Sequence, residues 1–226
     1  MAIETLQSKA EEAREVIQDA LASGGRVCVT CSFQTEDMIA VELVRERIPD
    51  VPVLFLETGY HFAEVYRYRD EMTARYGLNL VNVIPEQTIS SHEAQFGLLH
   101  QSQPDQCCKL RKVGPLFAAL EDYDVWVTGL RRVQSPTRAN LKTIDNFPLP
   151  SSKQLVKVSP LASWSDKEVW QYARELDIPI LSLYNDGYTS IGCEPCTAKP
   201  TDSTNLRSGR WAGRKLECGI HIAEAH

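Results

Sequence analysis

Cys218 stands alone near the carboxyl end, in Lys215-Leu216-Glu217-Cys218-Gly219-Ile220-His221. Four other cysteines form a separate set, Cys107-Cys108 and Cys193-Glu194-Pro195-Cys196. Thiolates so spaced converge on one metal centre, and four sulfurs suit tetrahedral zinc or an iron–sulfur cluster. Neighbouring side chains diverge, so an adjacent pair fits the separated corners of a four-iron cube more readily than one zinc ion. Polar Gln106 and basic Lys109, Arg111 and Lys112 surround the pair, a poor setting for a buried apolar thiol. Cys28 reads as core and Cys31 as a local structural residue. Cys218 follows Arg207, Arg210, Arg214 and Lys215. Positive neighbours lower a thiol pKa, and the thiolate is the nucleophile. Gly219 lets the tail swing, as a segment must if it closes on a substrate and later exposes its cysteine. The division predicts four thiols holding a metal centre and one thiol free to attack.

Two turns could meet a ligand. Thr30-Cys31-Ser32-Phe33-Gln34-Thr35-Glu36-Asp37 passes from a strand into a helix, where free backbone N–H groups and the helix dipole favour an anion. Ser32 and Thr35 add hydroxyls. Neither a Walker A motif nor GxGxxG is present there. Leu56-Glu57-Thr58-Gly59-Tyr60-His61 ends a second strand, where Glu57 and Gly59 could offer groups to an adenosine. His61 reads as a filler or cap.

The elements that must position these residues alternate. Apolar positions Leu6, Ala10, Ala13, Ile17 and Leu21 predict a helix over Thr5–Leu21. Helices are expected also at Thr35–Ile48, His61–Tyr76, Ser91–Leu99, Lys109–Leu120 (with Gly114-Pro115 kinking or restarting it) and from Ser165 to about Leu176. Ser165 with Glu168 makes a capping box there, and Trp164 can staple onto Val169. Strands are expected at Arg26–Thr30, Val51–Leu56, Leu78–Ile84, Tyr123–Thr128 and Leu155–Val158. The stretch 133–152 reads as loop or short hairpin. Such alternation indicates an α/β domain of three layers with a mostly parallel sheet flanked by helices. Ligands then bind beyond the carboxyl ends of the strands. Residues 1–179 form the expected nucleotide-binding α/β domain, and 180–226 a C-terminal extension that carries one cysteine pair and the mobile tail.

Composition narrows the function. The chain has 226 residues, an ordinary 43% apolar fraction and a formal net charge of −6. Acidity argues against a general nucleic-acid partner, yet Arg131, Arg132 and Arg138, like Lys109–Lys112 and Arg207–Lys215, form local basic patches. Those patches suit a small anionic substrate. No apolar run is long enough to span a bilayer, and Met1–Gln18 does not read as a signal peptide, so a cytoplasmic location is expected. Seven cysteines in a reducing compartment point to metal or redox chemistry.

Together these pieces resemble the assimilatory adenylyl-sulfate reductases, the iron–sulfur branch of the adenylyl-sulfate/phosphoadenylyl-sulfate reductase family. The matching segments run in family order: Cys107-Cys108-Lys109-Leu110-Arg111-Lys112, Thr128-Gly129-Leu130-Arg131-Arg132-Val133-Gln134-Ser135, Gly192-Cys193-Glu194-Pro195-Cys196, Gly209-Arg210-Trp211 and the Cys218 segment. The resemblance implies a fold like the adenine-nucleotide α-hydrolases and PP-loop ATP-pyrophosphatases. It implies a [4Fe-4S] cluster on Cys107, Cys108, Cys193 and Cys196, and Cys218 as nucleophile. Lys112, Arg207, Arg210 and His221 would hold the sulfate end of the substrate, Arg131 and Ser32 its phosphate, and Glu57, Thr58 and Gly59 the nucleoside. The implied partners are adenylyl sulfate and thioredoxin or a similar dithiol, with self-association as a dimer or tetramer. Phosphoadenylyl sulfate is the alternative substrate. An ATP-dependent PP-loop enzyme of tRNA thiolation and a zinc-stabilised interaction module are the competing readings; the first lacks its Ser-Gly-Gly-x-Asp-Ser turn. Two departures stand out. Gln34 occupies a place where relatives often carry glycine, and the Trp211–Cys218 stretch is short.

Overall fold

The computed structural model describes residues 5–22, 24–202, 205–215 and 217–220. Six strands form one sheet: β1 Val27–Thr30, β2 Pro52–Leu56, β3 Asn79–Val83, β4 Val125–Val127, β5 Ile144–Pro148 and β6 Gln154–Val158. Their spatial order is β3-β2-β1-β4-β6-β5. Every neighbouring pair is parallel except the β5–β6 hairpin. The order reverses at β1, which pairs with β4 through Val29 and Val127, and a crevice for ligands is expected beyond the carboxyl ends of strands at such a switch point.

Side-chain alternation divides the core into two layers. Val29, Val53, Phe55, Val125, Val127 and Val158 face one layer. Cys28, Leu54, Trp126 and Leu155 face the other. The first layer is covered by α1 (Leu6–Leu21), α2 (Thr35–Arg45), α3 (Ala63–Tyr76) and, further along the chain, the helix Asp166–Glu175. The second receives Leu116 and Leu120. Cys28 is fully buried in it, as its place in the strand predicts.

Between β3 and β4 lie α4 (Ile89–Phe96), α5 (Leu99–Ser102), α6 (Pro104–Cys108), a π-helical turn (Lys109–Val113) and α7 (Gly114–Leu120). The expected kink at Gly114-Pro115 is thus a widened turn inside one continuous helical path. Pro115 has no N–H to return to the preceding turn, and π turns of this kind re-aim the side chains they carry. Arg111 goes inward, donating to the Thr58 carbonyl at 2.8 Å and the Gln87 carbonyl at 3.1 Å.

The helix Asp166–Glu175 is α8. It begins with the anticipated capping box: Ser165 Oγ accepts from Glu168 N–H and Glu168 Oε2 accepts from Ser165 N–H at 2.7 Å. Several boundaries differ from the sequence expectation: α2 ends at Arg45, α4 runs Ile89–Phe96 rather than from Ser91 to Leu99, and β4 is only three residues long. The loop or short hairpin expected at 133–152 supplies one arm of the β5–β6 hairpin. Of β5 only Phe147 is buried, so this edge strand lacks the apolar run that would reveal it.

Candidate active site

The turn after β1 is shaped by its own side chains. Phe33 takes a left-handed backbone (φ 59°), and its buried ring packs edge-on against Phe55 and Tyr68 at 5.6 and 6.4 Å. Two of the turn's N–H groups, those of Ser32 and Phe33, are already taken up within the turn. Ser32 N–H and Oγ both donate to Asp37 Oδ2, at 2.7 and 2.5 Å, and Phe33 N–H approaches Cys31 Sγ at 3.3 Å. Cys31 is therefore the structural residue it was expected to be. Burial pushes the Asp37 carboxyl up to about 6, with Glu36 adding to the rise. Gln34, the residue that departs from the family's usual glycine, donates to Ser32 Oγ and accepts from Ile191 N–H at 2.9 Å. It fastens the C-terminal extension to the turn.

A cleft of about 1050 Å³ opens at the carboxyl ends of the strands. Ser32, Lys112, Arg131, Arg207, Arg210 and Cys218 all line it. Arg131 is already engaged, with Nη2 2.8 Å from Asp166 Oδ1. His61 lines the cleft too, and its Nε2–H donates to the Leu56 carbonyl, 2.8 Å away. Burial first, and then the Lys112 charge, pushes its pKa down to about 4, so it stays neutral.

Glu57, Thr58 and Gly59 do not line this cleft. Glu57 Oε1 accepts from Gly59 N–H at 2.7 Å and Tyr66 Oη at 2.6 Å, and Arg69 lies 3.3 Å from Oε2. Thr58 is fully buried and its hydroxyl contacts Cys193 Sγ at 3.3 Å. The turn thus folds back on α3 and the thiols. Spacing along the sequence could not reveal that, because it is fixed by contacts with distant residues. His221 lies outside the described residues.

Cys107, Cys108, Cys193 and Cys196 meet around one small cavity. The first pair ends α6; the second forms a 3-10 turn, Glu194–Cys196, whose Glu194 N–H donates to the Tyr60 carbonyl at 2.7 Å. Among the described residues, no three Cys, His, Asp or Glu side chains crowd closely enough to hold a single metal ion. Burial pushes the Cys107 thiol up to about 12, with the other three sulfurs adding to the rise. Lys112, Arg210 and Trp211 line both this cavity and the large cleft. Burial acts to lower the Lys112 pKa, but Cys193, Cys218 and Cys108 outweigh it and raise the value. One ammonium therefore sits in the field of thiols from both sites.

Close packing sets Arg210. It is buried, its guanidinium stacks 4.4 Å from the Trp211 ring centroid, and it abuts Gly192 so tightly that a Cβ there would overlap it. Sequence reasoning passed over Glu217, Lys215 and Arg138 as site residues, although all three line the cleft. Lys215 Nζ lies 2.7 Å from Asp105 Oδ1 and 3.4 Å from Cys108 Sγ. The available signal was the basic cluster containing Arg138 and the motif containing the other two.

The architecture and its site define an α/β protein with a cleft at the carboxyl ends of its strands, one thiol lining that cleft and a second set of thiols behind one wall. Residues 26–199 match the phosphoadenosine phosphosulfate reductase domain, and the chain belongs to that family. The adenosine 5′-phosphosulfate reductase of Mycobacterium tuberculosis is 44% identical over 207 residues, 89% of this chain and 80% of the relative. That of Mycobacteroides abscessus is 42% identical over 98% of this chain and 96% of its own length. Among solved structures, the phosphoadenylyl-sulfate reductase of Candida auris, in a phosphate complex, superposes with a TM-score of 0.71 at 22% identity, covering 88% of this chain and 99% of the other. The Candida glabrata FMN adenylyltransferase superposes at 0.64 with 17% identity over 99% of this chain and 82% of its own. These last two likenesses concern the fold.

Proposed function

We propose that this chain is an adenylyl-sulfate reductase of sulfate assimilation, converting adenylyl sulfate to sulfite and AMP. The observation that carries this reading is Cys218 in a cleft with Lys112, Arg207 and Arg210; two relatives above 40% identity bear that enzyme's name. The Cys218 thiolate attacks the sulfuryl sulfur. The S–O bond to the phosphate breaks, AMP leaves with the electron pair, and an enzyme S-sulfocysteine forms. Lys112, Arg207 and Arg210 offset the repulsion between a thiolate and an anionic sulfate, and must hold the reacting atoms roughly 3–3.5 Å apart. A dithiol of the thioredoxin class then attacks Cys218 Sγ, releasing sulfite with the S–S bonding pair. Its second thiol resolves the mixed disulfide, so the dithiol supplies both electrons.

The donor set fits a [4Fe-4S] cluster held by Cys107, Cys108, Cys193 and Cys196. Support comes from the donor chemistry: the Cys107-Cys108 and Cys193-x-x-Cys196 pairs, remote in sequence, bring four thiols to the lining of one cavity. When bound, such a cluster would order the wall shared with the cleft and set the field at Lys112; the scheme asks no electron of it.

The test is a single turnover with adenylyl sulfate labelled in its sulfuryl group and no reductant. Label should stay on Cys218 and be released as sulfite by reduced thioredoxin. Label retained by Cys218→Ser would overturn the assignment. Repeating the trap with phosphoadenylyl sulfate reports which nucleotide the cleft prefers.

A further inference from the structure

Cys218 has a neighbour of the wrong sign. Glu217 also lines the cleft, and its carboxylate repels both a thiolate and an anionic substrate. Yet its side chain is only 6% exposed, so it has been drawn in at a cost in desolvation. The compensation is specific. Arg138 grips it in bidentate fashion, Nη2 to Oε2 at 2.8 Å and Nε to Oε1 at 2.9 Å. Thr137 Oγ1 donates to Oε1 at 3.0 Å, and Arg207 Nη2 lies 3.6 Å from Oε2. Burial acts to raise the Glu217 pKa, but the Arg138 bonds and the two guanidinium charges lower it on balance.

On the other side of Cys218 the chain turns at Gly219 (φ 88°), and Ile220 is buried in the second core layer. The cysteine is thus suspended between two anchors, one ionic and one apolar. The ionic one continues into the fold: Arg138 also donates to Gln134, which donates to Glu36 on α2.

Resting on the reductase reading, we infer that Glu217 is a positioning residue: its clasp with Arg138 holds the tail so that Cys218 faces the cleft. It acts through the backbone of its neighbour and takes no part in the bond changes. A carboxylate is required for two reasons. Its fork matches a guanidinium, and its charge reduces mutual repulsion between Arg138 and Arg207. The same clasp is the contact that must release when a dithiol reaches the S-sulfocysteine.

Two rates test this on full-length protein in Glu217→Gln, Glu217→Ala, Arg138→Gln and the Glu217→Gln/Arg138→Gln double variant. One is alkylation of Cys218 by iodoacetamide without substrate, read by peptide mass. The other is formation of the S-sulfo adduct in a single turnover. Each single variant should alkylate at Cys218 at least fivefold faster and form adduct at least tenfold more slowly, with KM within threefold. The double variant should be no worse than either single one, because the same contact is already gone. Alkylation and adduct rates within twofold of the parent in both Glu217 variants would overturn the inference, as would additive losses in the double variant. If the parent forms no adduct, the reductase reading fails, while alkylation still decides whether the clasp holds the tail.

Discussion

Lys112 faces sulfur on two sides, and its chemistry follows from that placement. It lines the cleft with Cys218 and the cavity with Cys108 and Cys193. Removing one preorganised positive donor from a transition state costs on the order of 10²–10³ in rate. Lys112→Gln should therefore slow adduct formation by roughly that factor, with Lys112→Arg recovering part of it; stopped turnover with labelled substrate measures both. His61 makes a pH statement. Its pKa is about 4 in the folded chain against about 6.5 unfolded. Between those values the unfolded chain binds more protons, so stability falls as pH drops through that window. Urea midpoints taken from pH 7 to pH 5 should fall less steeply in His61→Gln than in the parent, whatever the offset at pH 7.

The helical path from Pro104 to Leu120 shows what an element contributes. Its start carries two thiols, its π turn sends Arg111 toward the Thr58 turn and Lys112 into the cleft, and its end packs Leu116 and Leu120 on the sheet. Helical character was legible from Lys109 onward, and Gly114-Pro115 marked the irregularity. The form it took was not legible, since a kink and a π turn satisfy the same missing N–H. α8 is the opposite case: Ser165 and Glu168 specify its start locally, and the box forms as expected. Ser165→Ala should cost about 1 kcal/mol, read as a shift in the denaturant midpoint with turnover per folded molecule unchanged.

At the scale of the whole molecule, the fold joins segments remote in sequence. Cys107-Cys108 comes from the β3–β4 connection and Cys193–Cys196 from the extension after α8, so the cavity between them exists only when the extension is docked. Gln34 bonded to Ile191 N–H and Glu194 bonded to the Tyr60 carbonyl secure that docking. On the proposed [4Fe-4S] assignment, protein purified without oxygen should show visible iron–sulfur absorbance that Cys193→Ala abolishes, with the extension becoming more sensitive to limited proteolysis; a colourless parent protein would overturn that assignment. By itself the sequence determined the alternation of strand and helix, the parallel sheet, the capped α8 and the separation of Cys218 from the other thiols. Each of these is written in local periodicity, end signals or residue type. Tertiary structure alone decided that the Ser32 donors turn to Asp37, that Glu57–Gly59 face α3 and the thiols, and that Glu217 meets Arg138. The reason is physical. A buried polar group must find a partner, and which one it finds depends on side chains brought close by the packing of the whole chain, not on its neighbours in sequence.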